Sequence, residues 1–438
     1  MRQEDAVERS ELPEVIAARL KQFDRTHDAR HLWPDVSVEA FRSAQRELGR
    51  AFSAVLGGGV EPVVLRLPPH ITARALGIVA SAEGMGPLLG YWCETGRLIA
   101  SPAVAEILAL HLDHGRRRTA RVRQGLERVL VALSDRGIGV IALKGIHTAY
   151  THFPEPGTRP PGDIDLLVQP EDWHTALDVL RDAGFTEGLT DHPQPERSVW
   201  IPPDPSAITT LEYAHENRPW SIDLHRSLDR TPFEGLTTTL GTPATSAAVA
   251  WLGFSKPLYF LPQPLLLAYL ALHASSHFYS MRQLSLVELI LVVQRDFVNH
   301  AERWRAFDEL IARTETARFV FPALSLADRC VPRVVDQGVL THLAHSAPRL
   351  LRTLVRRTEP ACAQRLHPIP GLRERFVWVS SPREVAAALS WFAWPRGPGG
   401  RAAFAIQWGR IKRAAYRIAQ NTATTLVQLL AGEAKPPG

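Results

Sequence analysis

The chain has 438 residues, 45% hydrophobic and 22% charged, with a formal net charge of +5. That is the balance of a folded protein of two or three domains, since a single core stops growing at roughly 250–300 residues. The mild basic excess is no mark of nucleic-acid binding, and the separated Cys93, Cys330 and Cys362 exclude a disulfide framework or a paired-cysteine metal knuckle.

At the start of the chain, Glu4, Asp5, Glu8 and Glu11 stand where a secretion signal would carry a basic residue and an apolar run, so a cytoplasmic location is expected. The next stretch, to about residue 105, reads as helices broken at Gly57-Gly58-Gly59 and Pro68-Pro69. The triple glycine lacks the lysine and hydroxyl residue of a P-loop and reads as a turn. From about Ala105 to Arg136, Val122, Leu126, Val129 and Leu133 fall on one face of a long helix, and Gly137 supplies its stop. Ile138 to Leu143 then reads as a buried strand, followed by Lys144-Gly145 and a helical turn through Tyr150.

A loop rich in proline and glycine, Pro154 to Gly162, delivers the chain to the strand Asp163 to Val168, and Pro170 begins a helix that closes at Gly184. Residues 190–207 read as a proline-rich excursion, and Ile208 to His215 and Trp220 to Arg226 as two paired strands. Between Lys256 and Arg282 lies the longest uncharged stretch, interrupted by Pro262, Pro264, His273 and His277, which suits a buried helix better than a membrane span. Helices are expected to continue to Cys330. A linker is expected over Trp391 to Gly400, then an amphipathic helix from Arg401 with Phe404, Trp408, Ile411, Ala415 and Ile418 on one face.

The chemistry concentrates on Gly162-Asp163-Ile164-Asp165-Leu166-Leu167-Val168. Successive strand residues point to opposite faces, so Asp163 and Asp165 share one side while Ile164 and Leu166 take the other. Like charges held that close call for a cation between them, and a hard divalent ion with oxygen ligands is the usual solution. In the later strand, Asp223 stands between Ile222 and Leu224 and presents a third carboxylate. A magnesium site for phosphoryl-group chemistry is the working reading.

Taken together, the run Gly137 to Gly145, the Gly-Asp-Ile-Asp-Leu-Leu-Val segment and Ser221-Ile222-Asp223-Leu224-His225 resemble the nucleotidyltransferase superfamily related to DNA polymerase beta. Within it the chain looks most like the bacterial group labelled uncharacterised nucleotidyltransferase, over roughly residues 120–330. In that group an arginine precedes the Asp-Ile-Asp strand, as Arg159 does here, and a helical region follows, with Glu288 where an aspartate is expected. The resemblance implies an α+β fold: a small mixed-sheet nucleotidyltransferase core flanked by N-terminal and C-terminal helical regions. The expected boundaries are 1–115 for an N-terminal helical region, 116–235 for the core, 236–345 for a helical domain closing the cleft and 346–438 for a basic C-terminal region.

In that setting Asp163, Asp165 and Asp223 would be the catalytic residues and the ligands of magnesium, or of manganese in its place. Lys144, Gly145, Arg159 and Gly162 would bind a nucleoside triphosphate, Gly145 by backbone approach and Arg159 by a bidentate guanidinium. A nucleoside monophosphate would pass to an unidentified small-molecule or protein hydroxyl, and pyrophosphate would leave. Ile146 follows Gly145 where most members of the wider superfamily carry a serine or a second glycine. A nonenzymatic nucleotide-binding or regulatory protein of the same fold, and a kinase-type phosphotransferase, are the alternatives.

Other features have plainer readings. His273 and His277 share a helix face without an evident third zinc ligand, and are expected to line the cleft or pack between domains. His225 would orient Asp223 or the acceptor, or pack structurally. Arg116, Arg117, Arg118, Arg121 and Arg123 are expected to form a solvated helix face rather than an RNA contact. The C-terminal amphipathic helix is expected to dock on its own protein rather than on a membrane.

Overall fold

The computed structural model describes residues 13–188, 196–204, 206–233, 236–251, 253–367, 374 and 376–393. The expected C-terminal amphipathic helix and most of the expected linker lie outside the described residues. Those described fall into a large unit ending at Ser380 and a smaller unit that includes the helix Pro382–Ala393. That helix takes in Trp391 to Ala393, the first residues of the expected linker.

In chain order the first half of the large unit holds α1 (Pro13–Thr26), α2 (Val38–Leu56), β1 (Val63–Val64), α3 (Ala73–Ala82), α4 (Gly86–Glu94), β2 (Leu98–Ile99) and α5 (Pro102–Asp135). Side-chain oxygens cap two of these helices: Ser37 accepts from the Ala40 amide before α2, and Thr72 from the Ala75 amide before α3. Pro102 suits the first turn of α5, and Gly137 follows the helix with φ +74°, a conformation that costs glycine little. The expected boundary after residue 115 falls inside α5.

The central elements are β3 (Ile141–Ala142), α6 (Ile146–Thr151), β4 (Asp163–Leu167), α7 (Trp173–Asp182), β5 (Thr186–Glu187), β6 (Arg197–Ile201), β7 (Ser221–His225), β8 (Arg230–Phe233), β9 (Leu236–Thr238), β10 (Val249–Trp251) and β11 (Leu258–Phe260). Helices follow: α8 (Leu265–Ser276), α9 (Gln283–Asp296), α10 (Ala301–Thr314), α11 (Ala317–Cys330), α12 (Gln337–Ser346) and α13 (Arg349–Arg357). Seven strands form one mixed sheet in the order β10-β11-β3-β4-β7-β6-β5. A mixed sheet with flanking helices is the expected α+β class.

One expected strand is wrong. Residues 208–215 form no strand, and β7 pairs instead with β6, Arg197–Ile201, inside what reads as a proline-rich excursion. The reason is local: Pro202 and Pro203 end β6 abruptly and mask the alternation before them, while the segment from 206 to 219 is tied to α5 by arginines. Arg121 Nη1 donates to the Glu216 carbonyl at 2.7 Å and Arg118 Nη2 to that of Pro219 at 3.0 Å. Arg118 and Arg121 thus clamp this segment to α5, while Arg116 and Arg117 stay exposed, as expected of a solvated face, and pair there with Glu94 and Glu155 and with Asp113 and Glu216.

The core lies on one side of the sheet. Ile164 and Leu166 of β4 and Ile222 and Leu224 of β7 pack with Val122, Leu126 and Val129 of α5 and with Ala176 and Leu180 of α7, all fully or nearly fully buried. Burying each such side chain stabilises the fold by about 1.5–3 kcal/mol relative to leaving it in water. The alternation that sends these residues into the core sends the aspartates to the opposite face.

A second buried cluster joins the N-terminal helices to α9. Glu83, directly after α3, accepts from Gln45 Nε2 of α2 and, at 2.8 Å, from the Gln283 amide that opens α9. Burial outweighs these hydrogen bonds and pushes the Glu83 carboxyl up from 4.5 to about 7. A carboxyl raised in the folded state adds stability that is complete below 4.5 and lost as pH rises through 7, about 3 kcal/mol for this shift. In chemical denaturation, the stability difference between Glu83→Gln and wild type is expected to change by about that amount between those pH values; parallel profiles would refute it.

Candidate active site

β4 and β7 are parallel neighbours in the register Asp163↔Ser221 and Asp165↔Asp223. Asp165 and Asp223 therefore face each other from adjacent strands, both buried, while Asp163 sits at the strand end with 47% of its side chain exposed. The Lys144 ammonium, at the end of the β3 segment, lies 2.7 Å from Asp165 Oδ2 and 3.1 Å from Asp163 Oδ2. It bridges the pair that the sequence brings together. Arg197 Nη2 of β6 contacts Asp223 Oδ2, and His225 Nε2 of β7 lies 3.2 Å from Asp165 Oδ1. His225 is thus a partner of Asp165.

This arrangement divides the charge unequally. Burial alone would raise the Asp165 carboxyl, but Lys144 and the His225 hydrogen bond hold it well below the usual carboxylate range. Asp223 moves the other way: burial and then the negative Asp165 push it up to about 6, against the pull of Arg197. Burial would also lower Lys144, but Asp165 and Asp163 reverse that and keep it charged. His225 is pushed down to about 4, chiefly by burial, so its imidazole is neutral near pH 7.

Gly145 has φ +60° and leads directly into α6. A Cβ at this position would lie 3.1 Å from Arg159 Nη1, so the missing side chain lets the guanidinium rest against the turn. Arg159 is held there by Glu288 of α9, with Nε 2.8 Å from Oε1 and Nη2 3.3 Å from Oε2. The Thr148 hydroxyl of α6 donates to Glu288 Oε1 as well. At Gly162 a Cβ would meet nothing within 4 Å, so no crowding explains that glycine.

The structure adds Arg197, Arg230 and Tyr269 to the residues read from the sequence. Arg230 of β8 donates to the Tyr269 hydroxyl of α8, stacks over its ring at 5.0 Å, and adds positive charge beside Asp165 and Asp223. His273 and His277 have ring centres 4.9 Å apart, and burial together with Lys144 and Arg230 lowers both, His277 to about 4. Among the described residues they belong to no group of three potential ligands, which leaves them as neutral neighbours of the charged cluster. At the sheet, Asp165, Asp223 and His225 do converge, each offering a ligand atom within 4.8 Å of the others. Asp163 stands outside that group.

Paired carboxylates on one strand, a third on its parallel neighbour and a lysine-glycine turn thus lie together on one face of the sheet. The chain belongs to the uncharacterised nucleotidyltransferase family, whose model matches residues 69–332. The match begins in the helical region upstream of the sheet, well before the stretch whose motifs carry the resemblance. No curated protein and no solved structure matches the chain. Among the described residues no helix is long and apolar enough to cross a membrane, and α8 occupies the stretch read as a buried helix.

Proposed function

We propose that this enzyme transfers a nucleoside monophosphate from a nucleoside triphosphate to a hydroxyl of a small molecule or protein, with release of pyrophosphate. The observation that carries the reading is the register of Asp165 opposite Asp223, with Asp163 at the open end of the same strand. Two buried carboxylates beside an imidazole suit a divalent cation, and the opposing charges of Lys144 and Arg197 mark how much positive charge the cluster demands. Asp163, Asp165 and Asp223 would hold magnesium, or manganese in its place, with His225 orienting Asp165 through its hydrogen bond. Such an ion, when bound, neutralises charge on the phosphate oxygens.

The chain's own groups account for the remaining steps. Asp223, which faces Asp165 from the neighbouring strand, would position the attacking hydroxyl and take its proton. Lys144 and Arg159 flank the Gly145 turn and would bind the triphosphate, Lys144 as a point charge and Arg159 through the nitrogens that Glu288 leaves open. Transfer of this kind needs positioned charge more than covalent help.

A small-molecule or protein acceptor is favoured over a polynucleotide because the arginines at 116–121 are engaged within the protein. An untargeted mass-spectrometric search tests the acceptor class: with magnesium and nucleoside triphosphates, a metabolite or protein should gain a nucleotide-sized mass. A gain of one phosphate instead would point to kinase-type transfer.

A further inference from the structure

A second set of metal-ligating side chains lies where α5 meets the segment leading into β7. His114 of α5 is buried, and His215 and Glu216 are half-buried. One ring nitrogen from each histidine and one Glu216 carboxylate oxygen all lie within 4.8 Å of one another. The two imidazole centres are 4.5 Å apart, and Tyr213 stacks on the His114 ring at 4.8 Å. Arg121 and Arg118 pin the surrounding backbone, as described above, so the three donors are held together before any ion arrives.

We infer that His114, His215 and Glu216 form a binding site for a zinc-class divalent ion, separate from the carboxylates of the sheet. Two imidazoles and one carboxylate are a set that zinc and cobalt favour, whereas magnesium prefers oxygen donors. The partial exposure of His215 and Glu216 leaves room for water as a fourth ligand. The Glu216 amide lies 3.4 Å from His114 Nδ1 and the Asn217 amide 3.0 Å from His215 Nδ1, and an ion at either nitrogen replaces that donor. Arg117, 3.0 Å from Glu216 Oε2, also pairs with Asp113 and keeps that partner if Glu216 turns to the ion. The ion would lock the segment that enters β7 five residues before Ser221 and seven before Asp223.

The test is a cobalt titration of the full-length, untagged protein after chelator treatment. One equivalent should give the visible absorption of a four-coordinate cobalt ion, and zinc should bleach it. His215→Ala should weaken that binding by more than about 100-fold, the upper range for changes one shell further out. Its unfolding in chelator should match wild type, which separates loss of a ligand from loss of fold. Asp223→Asn should leave the cobalt spectrum intact, because it alters only the sheet's carboxylates. No visible band, a band that survives His215→Ala, or one that disappears in Asp223→Asn would each overturn the assignment. None of these outcomes depends on the nucleotide reaction.

Discussion

Asp223→Asn is expected to lower turnover by roughly 10^3-fold or more, because loss of an ionic ligand and general base removes on the order of 4 kcal/mol of transition-state stabilisation. Its fold should hold. The Asp223 carboxyl is already raised by burial and by Asp165, so a neutral amide relieves repulsion, and the Arg197 side chain, 34% exposed, can turn to water. Asp165→Asn should lose turnover to a similar degree and also lose stability. It leaves the buried Lys144 ammonium facing only the exposed Asp163, and breaking a buried pair in this way costs about 3–5 kcal/mol. Steady-state rates alongside denaturant unfolding separate the two variants. An active Asp223→Asn would remove the residue from the site, and an Asp165→Asn as stable as wild type would contradict the buried bridge.

The second large effect concerns Lys144→Met. Without the ammonium, Asp165 and Asp163 lose the charge that bridges them and Asp165 keeps only the His225 hydrogen bond and the charge of Arg230, so the chelated protein should lose about 3 kcal/mol or more of stability. A divalent ion can take over the vacated charge. Saturating magnesium should therefore stabilise Lys144→Met more than wild type, where the ammonium competes for the same oxygens, with a ligand at a hundred times its Kd contributing about 2.7 kcal/mol. Thermal or denaturant unfolding with and without magnesium measures the difference. Equal shifts in the two proteins would mean that the ion and Lys144 do not share these carboxylates.

What the sequence discloses here depends on distance along the chain. The face shared by Asp163 and Asp165 follows from strand alternation alone, and Ile164, Leu166, Ile222 and Leu224 are legible as core for the same reason. Lys144 and Gly145 are legible because a buried strand must end at a turn, and that turn lies beside the next strand of the sheet. Partnerships between distant segments are not. Arg159 meets Glu288 across 129 residues, and no local pattern marks either as the other's partner. Arg197 is hidden because its strand is cut short by Pro202 and Pro203, so the segment reads as a loop and its neighbour 208–215, which alternates better, takes the strand reading. The arginines of α5 show the same limit, since composition gives their charge but not the carbonyls and carboxylates that absorb it.

The most direct test of the central claim follows the label of a nucleoside triphosphate marked on its γ-phosphate. The full-length protein is incubated with magnesium and an extract containing small molecules and proteins, with Asp223→Asn run in parallel to subtract the extract's own enzymes. Nucleotidyl transfer predicts that the label leaves as pyrophosphate in the wild-type reaction, and that this release falls to the background of the Asp223→Asn reaction. Label carried onto an acceptor in excess of that background, or identical release in both reactions, would contradict it; labelled inorganic phosphate above background counts with the pyrophosphate, because an extract's pyrophosphatases cleave it.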